Sequence, residues 1–174
     1  MGVCSSVNIG GRMVPISLLK NIQQDIATLS VACSKCIQPP EYSGWITEND
    51  DAFGYTEPEM GTEAQGASTA PPDGAFAQYH SHPPYDGIPL LSVTNATQDF
   101  ASTGLYRDVQ RWTNTRGEYD FLAHGITGAV VFGPTGAYAY DLRTLKPTDN
   151  PSVVGVQVLS GSQVSWPNHV EPQH

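Results

Sequence analysis

Seven apolar positions, Ile16, Leu19, Ile22, Ile26, Leu29, Cys33 and Cys36, recur at intervals of three and four between Pro15 and Pro39-Pro40. That spacing lines one face of an α-helix. Pro15 suits a first turn, where its missing N–H costs nothing, and the proline pair stops the helix. From Glu41 onward the chain instead breaks into short alternating runs punctuated by Gly and Pro. A helix followed by a mixed run of strands and helix predicts an α+β or three-layer sheet architecture.

Glu41 to Thr47 and Phe53 to Thr56 read as two strands joined by a turn at Glu48-Asn49-Asp50-Asp51. Residues 58–74 are rich in Pro, Gly, Glu, Ser and Thr, which predicts a surface loop. Ala75 to His82 alternates, placing Phe76, Gln78, His80 and His82 on one face and ending at Pro83-Pro84. Ser92 to Ser102 has helical spacing, with Ser92 or Thr94 as cap and Gly104 as stop. Residues 128–142 read as a hairpin turning through Gly133-Pro134-Thr135-Gly136, and Val153 to Leu159 as an edge strand. Leu105 to Gly125 mixes Tyr, Trp and charge without a readable period. The organisation expected is an N-terminal segment (1–14), one domain (15–146) and a partly flexible C-terminal extension (147–174).

One domain also fits the 174 residues, enough to bury a core without disulfides. The 17 acids outweigh the 8 Lys and Arg, for a net charge of −9, which argues against a nucleic-acid partner whose phosphates need cations. The surplus is concentrated. Between Lys35 and Arg107 there is no Lys or Arg, yet the stretch holds ten acids, a composition that repels polyanions and attracts cations.

Cys4, Cys33 and Cys36 are too few for a disulfide framework. Cys33 and Cys36 fall on the helix stripe, and zinc would need a second Cys or His pair at matching spacing, so both read as core. No run approaches the length of a membrane span, and the N-terminus does not read as a secretory signal. Met1-Gly2-Val3-Cys4-Ser5-Ser6 does fit the spacing of a myristoylation site with Cys4 open to palmitate. Membrane attachment is expected only if Gly2 and Cys4 are both lipidated, since one chain binds weakly.

The informative residues are His80-Ser81-His82-Pro83. On a strand, residues two apart share a face, so His80 and His82 present two imidazoles to one ion. Imidazole is a favoured zinc ligand, and a catalytic zinc takes three protein ligands plus an open position. Hydrolysis further requires a carboxylate to accept a proton from water. Glu41, at the start of an earlier strand, is the natural distant carboxylate. His124 reads as structural or exposed, and Ser81 lacks the Gly-x-Ser-x-Gly surround of a nucleophile.

In this order, Glu41, then His80-Ser81-His82-Pro83, then Ser92-Val93-Thr94-Asn95, the chain resembles the JAB/MPN metalloproteases, whose motif ends in Ser-x-x-Asp. Glu41-Tyr42-Ser43-Gly44-Trp45-Ile46, Gly54-Tyr55-Thr56 and the hairpin from Gly133 to Asp141 are similar to the JAB-like domains at the C-termini of bacterial Rhs-type and other polymorphic secreted toxins. The resemblance implies a JAB/MPN-like, cytidine-deaminase-like mixed sheet flanked by helices. It implies Zn2+ held by His80 and His82, Glu41 as general base, and Ser92 as donor to the oxyanion. Asn95 stands where the family places its third ligand, an Asp; an amide is the poorer zinc ligand, so Asp99, four residues on, or Asp86 is expected to take its place.

The function expected from these residues together with the resemblance is zinc-dependent hydrolysis, which the resemblance directs to peptide or isopeptide bonds. The resemblance adds a protein substrate such as a ubiquitin-like conjugate, a cognate immunity protein, and production in a bacterial cytoplasm with export by a specialised secretion system. Two alternatives stand beside it. If Asn95 has cost the chain its metal, it is a non-catalytic binding module; if it cleaves a non-peptide bond, it does so without the basic surface a nuclease needs.

Overall fold

The computed structural model describes residues 5–32, 41–61, 70–82, 105–114, 120–133 and 136–160. The chain opens with a hairpin of β1 (Ser6–Ile9) and β2 (Arg12–Pro15). Its turn, Gly10-Gly11, has φ of 60° and 93°, left-handed values that glycine adopts without a Cβ penalty. The hairpin is more than a leading segment. Ile9 and Val14 are buried in the main core, and the Thr127 hydroxyl donates to the Gly10 carbonyl at 2.7 Å.

Helix α1 (Ile16–Ala32) begins at the residue after Pro15, as the periodicity predicts. Leu18, Leu19, Ile22, Ile26 and Ala27 are buried, each large side chain adding about 1.5–3 kcal/mol of transfer free energy. Leu29, expected on the stripe, stands at its margin near the helix end and is exposed. Cys33 and Cys36 lie outside the described residues.

Strands β3 (Tyr42–Asn49), β4 (Ala52–Tyr55), β5 (Glu59–Met60), β6 (Ala75–Ser81), β7 (Gly128–Gly133), β8 (Gly136–Asp141) and β9 (Val156–Ser160) form one mixed sheet. Its order is β4-β3-β6-β7-β8-β9, with β5 also paired to β3. The β3–β4 turn falls where the sequence predicts it: Asp50 and Asp51 have φ of 51° and 64°, the paired positive values of a type I′ hairpin turn. β9 is the expected edge strand, but it starts at Val156 instead of Val153, because residues 151–154 are helical. Among the described strands only β6 and β7 run parallel, which requires a crossover, and α2 (Leu105–Thr113) lies within it. A short helix α3 (Pro151–Val154) leads into β9.

The central strand β7 is buried along its whole length because both sheet faces are covered. Val130 and Phe132 face the α1 side, with Ile22, Ile26 and Tyr79. Ala129 and Val131 face the α2 side, with Leu105, Val109 and Trp112. The architecture is therefore α+β, with helices on both faces of a mixed sheet. No helix among the described residues is long and apolar enough to cross a membrane.

One departure from simple alternation matters for the site. The β3–β6 register slips between Ile46 and Thr47, so that Ile46 pairs with Ala77 and Thr47 with Ala75. Phe76 is the extra residue of this bulge. Expected on the histidine face, it instead joins Ala77 and Tyr79 in the α1-side core, edge-on to Phe53 at 5.9 Å. Beyond the bulge the alternation resumes.

Candidate metal centre

From Ala77 onward, β6 turns Tyr79 toward α1 and His80 toward α2. His82 follows just past the strand end, its backbone N–H donating to the Phe132 carbonyl at 2.8 Å, so β7 still holds it in line. Antiparallel pairing of Ser43 with His80, continued by two residues, brings Glu41 opposite His82. Two further bonds fix that corner. The Tyr42 N–H donates to the Ser81 hydroxyl at 2.9 Å, and the Gly61 N–H donates to the Glu41 carbonyl at 2.7 Å.

Glu41, His80 and His82 offer ligand atoms within 4.8 Å of one another, a group able to hold a metal ion. All three are nearly buried, at 9%, 5% and 8% exposure. Against the two histidines stands Asp108, from α2. Its Oδ2 lies 2.7 Å from Nε2 of both His80 and His82, and those two nitrogens are 3.2 Å apart.

The spacing of the two imidazole nitrogens suits one small ion. Ligands at about 2.0–2.2 Å from a tetrahedral zinc stand about 3.3–3.6 Å from each other, close to the imidazole spacing seen. The carboxylate oxygen sits nearer by about half an ångström, which is the spacing of an ion-free cluster bridged by protons. The donor set is two imidazoles and a carboxylate, with a second carboxylate beside them.

The electrostatics agree. Burial raises the Glu41 pKa above its ordinary value, and the two histidines only partly offset this. Burial alone would lower the His80 pKa, but the charge and hydrogen bond of Asp108, with help from Glu41, raise it. Burial would likewise raise the Asp108 pKa, yet His80 and His82 hold it well below the usual carboxylate range. Without an ion, then, the two carboxylates on either side favour the protonated form of His80. Arg111, one turn beyond Asp108, is exposed and lowers the pKa of both Glu41 and His80.

Of the residues expected from sequence, the structure brings together Glu41, His80 and His82. Ser92, Asn95, Asp99 and Asp86 lie outside the described residues. Asp108 is not legible as a site residue from the sequence because the surrounding segment has no clear strand or helix period over its length. A local signal exists nonetheless: Leu105, Asp108, Val109 and Trp112 form a buried i, i+3, i+4, i+7 stripe in which one member is an acid. An acid on an apolar stripe needs a partner. His124, expected to be structural or exposed, is exposed, with Nδ1 2.7 Å from the Asp120 carbonyl.

Comparison with protein-family models, curated proteins and solved structures finds no match.

Proposed function

We propose that this chain is a zinc-dependent metallohydrolase of JAB/MPN type, acting on peptide or isopeptide bonds. The observation that carries the reading is the meeting of His80, His82 and Asp108 at one point beside a buried carboxylate of raised pKa. His80 Nε2, His82 Nε2 and Asp108 Oδ2 would hold the ion. Zinc, when bound there, would supply Lewis acidity toward a carbonyl and acidify water.

The chain's own residues supply the rest. Glu41 accepts the proton that water gives up, and the upward shift of its pKa by burial helps it hold that proton and pass it on to a leaving amine. Burial of the cluster excludes bulk water and strengthens each charge interaction within it. Arg111 places a cation at the rim, where negative charge develops during attack on an amide carbonyl. Three residues before Asp108 the chain has Leu105, so α2 does not provide the hydroxyl found at that spacing in the JAB/MPN pattern.

A toxin or effector setting with a protein substrate is part of the same reading, supported by the likeness of residues 41–46 and 133–141 to JAB-like toxin domains. The carboxylate of Asp108 beside both histidines supports this reading over that of a metal-poor binding module. Metal analysis combined with Glu41→Gln tests the reading. The protein should carry one zinc, and the variant should keep it while losing at least about 100-fold in peptide hydrolysis. Failure to take up zinc at stoichiometric level after reloading would overturn it.

A further inference from the structure

The indole of Trp112 can only donate a hydrogen bond, and its Nε1 lies 3.4 Å from Oε1 of Gln78. The end of the Gln78 amide facing it is therefore the carbonyl oxygen. That same oxygen stands 3.2 Å from Nδ1 of His80. A carbonyl oxygen only accepts, so Nδ1 of His80 carries a proton. The remaining ring nitrogen, Nε2, is the one turned toward His82 and Asp108.

We propose that Gln78 is a positioning residue of the metal centre: held by Trp112, it fixes the tautomer and ring orientation of His80 so that Nε2 faces the ion. The inference rests on the metal-site reading and assigns to it a supporting contact that no sequence motif marks. Metal-ligating histidines generally donate their second N–H to such an acceptor. The support is firm, since Trp112 is 4% exposed, packs 5.8 Å from the His80 ring and meets the Tyr140 ring at a tilt, 5.1 Å between centroids. Gln78 itself sits two residues before His80 on the same face of β6, so the strand sets its reach.

Cobalt(II) titration read by visible absorption, with zinc competition against a chelator, tests the proposal on the full chain. Gln78→Met keeps the side-chain length and removes the oxygen; it should weaken metal binding by about 10- to 100-fold and change the cobalt bands. Gln78→Glu restores an acceptor and should recover both affinity and the original bands, which a merely space-filling role would not produce. Equal affinity and identical bands in the parent protein and Gln78→Met would overturn the proposal. A parent protein that binds no cobalt would instead overturn the metal-site reading, and this inference with it. If Gln78→Met does not fold, Trp112→Phe keeps an aromatic side chain and removes the N–H together with the five-membered ring that carries it; unchanged affinity and bands there would also overturn it.

Discussion

Asp108 Oδ2 lies 2.7 Å from Nε2 of His80, joining residues 28 positions apart across the β6–β7 crossover. Neither partner is exposed enough to be solvated instead, so each depends on the other. The same oxygen reaches His82, making one carboxylate the hinge of the cluster.

Asp108→Ala should therefore act on both metal and fold. Removing one partner of a buried charged cluster costs about 3–5 kcal/mol because the other charge is left uncompensated. The expected outcome is loss of stoichiometric zinc together with a lower urea midpoint in the metal-free protein. Full zinc retention by this variant would assign the third ligand elsewhere.

The metal-free protein should lose stability as pH rises above about 6.5, the unperturbed histidine value. His80 and Glu41 both have raised pKa values in the folded state, so the folded chain binds more protons than the unfolded one. Each excess proton costs about 1.4 kcal/mol per pH unit while the pH lies between the unfolded and folded pKa. Asp108, with its lowered pKa, acts at the other end. Its contribution is present above about pH 4 and is lost as pH falls toward its folded value. Zinc displaces the His80 proton, so zinc should raise the melting temperature more at pH 8 than at pH 6. Calorimetry at both pH values, with and without zinc, measures this; an equal or smaller gain at pH 8 contradicts it.

Arg111→Ala should shift the acid limb of the pH–rate profile upward. The arginine lowers the Glu41 pKa, so its removal lets burial raise that value further. Zinc content should not change, because Arg111 is exposed and donates to no ligand atom among the described residues. A downward shift in kcat/KM against pH would show that a different group titrates.

Gly44→Ala should disturb the site from behind. A Cβ at Gly44 would overlap the ring of Tyr79, whose hydroxyl donates to the Thr56 carbonyl at 2.6 Å. Overpacking of this kind costs about 1–3 kcal/mol. Because Gly44 lies between Tyr42 and Trp45 on β3, the shift should also move Glu41 relative to His82. Thermal unfolding and hydrolysis should both fall; an unaltered melting temperature would mean the ring yields freely.

Much of this protein is local in origin. The stripe of α1, the type I′ turn at Asp50-Asp51, the β7–β8 hairpin and the shared face of His80 and His82 follow from side-chain period and turn sterics, which a few adjacent residues set. The sequence by itself therefore determined a helix-and-sheet chain carrying two imidazoles on one strand, with Glu41 on another. Tertiary structure decided the rest. Recruitment of Ile9 and Val14 into the core depends on a hairpin too short to show a period, and the turning over of Phe76 depends on a register slip between two strands. Asp108 and Gln78 become parts of the site only because packing of α2 against the sheet places an acid and an indole N–H beside β6. Long-range pairings of this kind are chosen by burial and by the need of each buried polar atom for a partner, and neither is written in the spacing of residues along the chain.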